Sequence, residues 1–319
     1  MIVIAIGAVA CALAAAFLAP PLLRRLTAAG HSPRPGAYAW LITSLTVVLC
    51  SAIAGALLIA SPHDNHVVYE LLRRACLVAF GTELPLTGAR VAVGIALIIP
   101  LLRTVGVALT MWRGALRLRA MQQTLRLLGQ SSGDGLIVVT AEKPMVYCIP
   151  GRPRTIVATT AARECLSPDQ FQAVLSHERA HLAERHHLLV MLSGALRRAM
   201  PGLPLLRDAN RFVTTLVEMR ADDVACRRFE PALVAEAMSL LGSAGGRAPS
   251  HPSSALGAAQ TAVLARVHRI LDPPTRRRQT ISALGSTAYA ASWCFLQIAV
   301  IAVPLLSTAL GDICLYRIN

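Results

Sequence analysis

The sequence predicts a mainly α-helical membrane protein, with about four transmembrane helices and a polar α+β unit carrying a small antiparallel sheet. Three observations predict it. Hydrophobic residues make up 55% of the 319 residues and mean hydropathy is +0.55, above the level of ordinary soluble domains. The apolar residues gather into four runs, each close to the ~20 residues that a helix needs to cross a bilayer. The long polar stretch between the third and fourth runs alternates short β-rich segments with helix-periodic ones.

The four runs are roughly 1–19, 39–60, 91–112 and 286–308. No basic residue precedes the first, and Arg24 and Arg25 follow it. That is the reverse of a cleaved signal peptide, so a retained span with its N-terminus outside is expected. Charge alternates between the spans. Loop 20–38 carries Arg24, Arg25 and Arg34 with no acid, loop 61–90 balances three arginines with three acids, and 113–285 carries 22 arginines and one lysine against 13 acids. Basic segments stay on the cytoplasmic side. The expected organisation is therefore three spans over 1–112, a cytoplasmic domain over 113–285, and a fourth span with a short external tail over 286–319, both termini facing outward. "TRRRQ" (275–279) just before the last span fits this orientation. Arg103 falls inside the third run; a shifted or broken span explains it more simply than a functional charge.

The net charge of +14 is nearly all arginine, Lys143 being the single lysine. Without a basic face and supporting motifs, no direct nucleic-acid binding is expected. The eight cysteines show no CxxC spacing and read as small hydrophobes, not as a disulfide framework or thiolate zinc cluster.

Within 113–285, residues 113–130 read as a basic amphipathic helix continuing the third span. "SSGDG" breaks it, and "LIVVT" (136–140), "MVYCI" (145–149) and "TIVAT" (155–159) read as short antiparallel strands separated by prolines. Ser167, Pro168, Asp169 and Gln170 then form a helix start with a capping box, and the helix is expected over 168–187. The apolar segment 188–206, interrupted by Arg197, Arg198 and two prolines, reads as surface-lying or re-entrant. Helices are expected at about 210–228 and across 231–270, with a weak loop at "GSAGGRAPSHPSS".

The chemistry sits in "LSHERAH". His177 and His181, four residues apart on a helix, share a face with Cβ atoms ~5–6 Å apart, so both imidazoles can meet one small tetrahedral cation. Glu178 between them can hold a water on it. This is the mechanical reason that HExxH signifies zinc with a carboxylate base: the metal lowers the water's pKa and the carboxylate takes its proton. The plainer alternative is a solvated helix face. A catalytic zinc needs a third protein ligand. Glu218, on a separate helix and flanked by Leu216, Val217 and Met219, is the best candidate, with a salt bridge to an arginine as the alternative. Asp222, one turn on, can accept the free N–H of a ligand histidine; Asp223 competes for that role. His186, His187 and Glu184 read as a solvated face, with His186 pointing away from the metal and Glu184 able to support a histidine.

With "LVEMRADDVA" added and three spans ahead of it, the pattern over roughly 100–310 resembles the BlaR/MecR-type membrane zinc metallopeptidases of bacteria. The resemblance implies a gluzincin-type domain at the inner face of the bacterial cytoplasmic membrane. It also implies one Zn2+ per chain held by His177, His181 and Glu218, Glu178 as base and Asp222 as orienting residue. The implied substrate is a protein, with a cytoplasmic transcriptional repressor as one candidate. Two departures stand out. About eleven residues follow 308, where the family's sensors carry a penicillin-binding domain, so direct beta-lactam sensing is not expected. His186 also stands where the family often has an acid. A membrane quality-control protease of the heat-shock type and a non-catalytic signalling scaffold are the competing functions; the partners are the lipid bilayer and the substrate, and the oligomeric state is open.

Overall fold

The computed structural model describes residues 2–60, 86–128, 130–131, 135–151, 154–244 and 254–316. Most of the expected external loop 61–90, and residues 245–253 of the expected weak loop, lie outside the described residues.

Helix α1 (Ile2–Thr27) and helix α2 (Pro33–Ala60) form an antiparallel pair. The turn between them needs Gly30, whose φ of +59° is left-handed and at which a Cβ would collide with the Met219 sulfur. Pro33 then sits at the first position of α2, where its missing N–H costs nothing. Helix α3 (Leu86–Leu128) runs unbroken from the third apolar run into the basic segment. Three stretches, Ile4–Thr27, Pro33–Ala60 and Val91–Gly114, are long and apolar enough to cross a membrane. The fourth run lies on the last helix, α10 (Arg276–Tyr316), which packs on α1 and α2; the side chains at its far end lie outside the described ones. Arg103 is exposed on α3 and makes no ion pair among the described residues.

The sheet corrects one expectation. Strands β1 (Gln130–Ser131), β2 (Leu136–Val139), β3 (Val146–Ile149) and β4 (Thr155–Thr159) lie in the order β1-β2-β4-β3. β4 enters between β2 and β3, so it pairs parallel to β2 (Ile137↔Val157) and antiparallel to β3 (Tyr147↔Val157). The sheet is mixed, not antiparallel. β4 is buried along its whole length, whereas β3 is an edge strand.

After the short helix α4 (Thr160–Cys165), helix α5 (Pro168–Ala183) begins at the full capping box. Gln170 N–H donates to Ser167 Oγ at 3.3 Å and Ser167 N–H donates to Gln170 Oε1 at 2.9 Å. Phe171, Val174, Leu175 and Leu182 bury one face of α5 against Ile156 and Ala158 of β4 and Ala237 of helix α8 (Pro231–Ala244). α5 stops sooner than expected. Arg185 adopts left-handed φ 54°, and a new helix, α6 (His186–Ala199), starts there.

Residues 188–206 form most of α6 and the start of α7 and pack on the apolar helices. Arg197 and Arg198 face out while Leu196, Leu205 and Leu206 are fully buried, in one cluster with Leu23, Trp40 and Val48 of the first two helices and Val213 and Leu216 of helix α7 (Pro204–Ala225). Trp40 stacks on Phe212 with centroids 4.9 Å apart. Arg24 Nε donates to Asp208 Oδ2 at 2.8 Å. α7 is therefore packed directly onto the apolar bundle. Helix α9 (Ser254–Leu271) completes the chain between α8 and α10.

Candidate functional site

α5 and α7 pack side by side, and the residues singled out in the sequence face one another between them. His177 is buried and His181 half-buried on α5; their Nε2 atoms are 3.1 Å apart. From α7, Glu218 Oε2 lies 3.8 Å from His177 Nε2 and Oε1 lies 3.7 Å from His181 Nε2. One donor atom from each of the three residues falls within 4.8 Å of the other two. Three donors held by one tetrahedral zinc at ~2.0 Å stand about 3.3 Å apart, so this set fits such an ion with small adjustments. Two imidazole Nε2 lone pairs brought this close also repel unless a proton or cation lies between them.

Asp222 is almost fully buried, with Oδ1 3.0 Å from His177 Nδ1. Oδ1 stands against Nδ1 at this distance, although the contact lacks the full geometry of a hydrogen bond. Asp223 points elsewhere, taking Arg269 at 2.7 Å. Of the two neighbours, Asp222 is the one beside His177.

Arg266 on α9 was not singled out in the sequence. It is buried and binds Asp222 in a fork, Nε to Oδ2 at 2.8 Å and Nη2 to Oδ1 at 2.6 Å, while Nη1 reaches Glu218 Oε2 at 2.9 Å. The salt bridge posed as the alternative for Glu218 exists alongside its approach to the histidines. No local signal in "ARVHRI" marks it, because its partners lie 44 and more residues back.

His186 is the clearest correction. It does not point away. The turn at Arg185 folds it back, so that its Nδ1 lies 3.0 Å from His181 Nδ1 and its Nε2 lies 3.4 Å from Glu184 Oε2. His186 is 3% exposed. Glu184 in turn takes Arg220, Nη2 to Oε1 at 2.6 Å. His186 is thus off any solvated face, while Glu184 is half-buried and stands against a histidine. Arg220, Glu184, His186 and His181 form one continuous polar chain.

Glu178 touches the Cys148 thiol of β3. The cysteines are thus not all plain buried hydrophobes, and Cys165 and Cys294 are exposed. Burial raises the Glu178 pKa above the usual carboxylate range, against the pull of His177 and Cys148. Burial, with His177 and His186 nearby, holds His181 down at about 3 despite Glu218, so its ring is neutral. Burial works against charge on His177, but Asp222 and Glu218 outweigh it and raise its pKa. Burial also opposes charge on Asp222, yet the fork from Arg266 and the contact with His177 bring it down to about 2.

A family model described as Peptidase family M48 matches residues 117–206. The match supports an M48-type metallopeptidase, a class that is metal-dependent and typically uses zinc. It spans the end of α3, the sheet and α4 to α6, including His177, Glu178 and His181, and ends before Glu218 and Asp222. It carries the peptidase assignment without the BlaR/MecR specificity. No curated protein and no solved structure matches the chain.

Proposed function

We propose that the chain is an integral-membrane zinc endopeptidase working at the cytoplasmic face. In this reading residues 1–112 and 286–319 form the membrane part and 113–285 the peptidase domain. The observation that carries the reading is the convergence of three donor atoms from α5 and α7 within 4.8 Å, beside the half-buried Glu178, with the histidine helix inside a segment matched by a peptidase family.

His177, His181 and Glu218 hold the zinc, which when bound supplies Lewis acidity at the point the three donors face. Glu178, its proton affinity raised by burial, takes the proton of the attacking water and returns it to the leaving amine nitrogen as the C–N bond breaks. Asp222 holds the His177 ring through Nδ1, and Arg266 keeps Asp222 and Glu218 ionised and aimed. His181 presents Nε2 inward, so its Nδ1–H donates to His186 Nδ1, and His186 passes the constraint to Glu184 through Nε2–H. His186 with Glu184 thereby does the orienting work of the acid that the BlaR/MecR resemblance leads one to expect there. The edge strand β3, which pairs with β4 on one side and leaves Tyr147 exposed, is the place for an extended substrate segment to lie.

A cytoplasmic transcriptional repressor is the substrate class the resemblance implies. The test is a comparison of new protein N-termini in cells carrying wild type or Glu178→Gln. Turnover is expected to fall on the order of 10³-fold in the variant while the purified protein keeps one zinc per chain. Differential cuts in a DNA-binding regulator support the repressor reading, and cuts confined to membrane proteins support quality control. Equal cutting in both strains overturns the peptidase reading in favour of a scaffold.

A further inference from the structure

We propose that the cavity between the α1–α2 turn and the start of α10 binds the headgroup of an anionic phospholipid, with one acyl chain in the apolar groove beside it. Two adjoining hollows carry the proposal. The first, about 460 Å³, is walled by Arg34, Arg220, Asp223 and Arg227 together with the first turns of α10. The second, about 380 Å³, runs between α2 and α10 along Tyr38, Ile42, Ala290, Ala291 and Cys294, and its wall is almost wholly apolar. The two share Arg34, Pro35 and Thr287.

The charges in the first hollow are not equivalent. Asp223 is committed to Arg269 and Arg220 to Glu184. Arg34 and Arg227 are exposed and make no ion pair among the described residues. The uncompensated charge of the wall is therefore positive and calls for an anion. On α10 the small side chains of Ala290 and Ala291 leave the groove open against Tyr38 and Ile42 of α2. Position decides between a soluble anion and a lipid. Arg34 stands at the start of the apolar stretch of α2 and Thr287 at the start of the fourth apolar run, so the polar hollow meets the apolar groove where headgroups meet acyl chains. A phospholipid has this same order of charge and apolar chain. The proposal rests on the insertion of α2 beside α10 and is independent of the peptidase reading.

The test uses the full chain, purified in detergent and mixed with phosphatidylglycerol or phosphatidylcholine, with retained lipid counted by native mass spectrometry. Wild type is expected to keep one phosphatidylglycerol per chain in preference to phosphatidylcholine. Arg34→Gln with Arg227→Gln is expected to weaken retention roughly 30-fold, and Arg34→Lys with Arg227→Lys to restore most of it. Ala291→Trp, which fills the groove and leaves both arginines, is expected to lose the lipid as well. Equal retention of the two lipids overturns the proposal, as does unchanged retention in the glutamine variant or loss in the lysine variant as complete as in the glutamine one. Binding of sn-glycerol 3-phosphate as tight as that of the lipid overturns it in favour of a soluble-anion site.

Discussion

α5 and α7 bring the donors of the candidate site together, and different forces hold them. α5 draws its start from its own neighbourhood: a capping box closes it, and Phe171, Val174, Leu175 and Leu182 seat one face on the preceding strand β4, with Ala237 of the more distant α8 closing the cluster. α7 is fixed from far away in the chain. Leu205, Val213 and Leu216 bury into the bundle of α1 and α2, Asp208 takes Arg24, and Asp222 and Glu218 take Arg266. The histidine half of the site thus follows from local sequence, whereas the carboxylate half exists only once the bundle and α9 are in place. Disturbing α7's long-range partners should cost more than disturbing α5's local ones.

The largest expected difference is at Arg266. Arg266→Met removes the guanidinium from the buried Asp222 and the half-buried Glu218 and is expected to cost about 3 kcal/mol, the scale for breaking a buried pair by deleting one partner, read as a fall in Tm of the detergent-solubilised protein. Arg266→Lys, which cannot make the planar fork, recovers only part of it. The pH dependence follows from Asp222, whose pKa is depressed to about 2 in the folded state. A depressed carboxylate contributes stability that is present above its unfolded pKa of about 4 and is lost as pH falls through about 2. Without Arg266 that carboxylate protonates at higher pH, so acid unfolding of Arg266→Met begins at higher pH than in wild type. Matching acid-unfolding curves would show that Arg266 is not what holds α7's carboxylates.

A middle-sized effect is expected where the two helices meet through the polar chain at His181. His186→Ala removes the group against Nδ1 of His181, and zinc affinity is expected to drop about 10- to 100-fold, the usual range for a residue that orients a ligand. His186→Asp places an acceptor at the same position and is expected to restore much of the affinity, which a purely structural role for His186 would not do. Competition with a chelator measures both. If wild type binds zinc and His186→Ala binds it equally well, the chain from Arg220 to His181 has no role at the metal.

The same contrast explains what the sequence reveals. The capping residues, the i, i+4 histidines and the three strand-like runs depend on neighbours within a turn or a short run, and periodicity reads them. The choice between Asp222 and Asp223 does not, because adjacent helical positions differ only in direction and the direction is set by Arg266 and Arg269 on α9. The place of His186 is hidden for another reason. The helix breaks at Arg185, with neither glycine nor proline to mark it, so extrapolating α5 through residue 187 turns His186 the wrong way. The mixed sheet is hidden too, since three short runs in a row do not state that the last inserts between the first two. Segment 188–206 carries charges too close together for a span, yet its apolar face finds α1 and α2, a partner that no local window contains.

The smallest expected effect is at the start of α5. Ser167→Ala removes the acceptor for Gln170 N–H and is expected to cost about 1 kcal/mol, while Ser167→Gly costs only a few tenths. Ser167→Asp keeps an acceptor and adds charge favourable to the helix N-terminus, so it is expected to match or exceed wild type. None of the three should alter zinc affinity. Ser167 precedes His177 by about three helical turns, and between them Phe171, Val174 and Leu175 already fix the helix on the sheet. A fall in zinc affinity with Ser167→Ala would mean that the cap, rather than the apolar face, sets the direction of the histidines, and the division between a locally fixed α5 and a remotely fixed α7 would have to be redrawn around the cap.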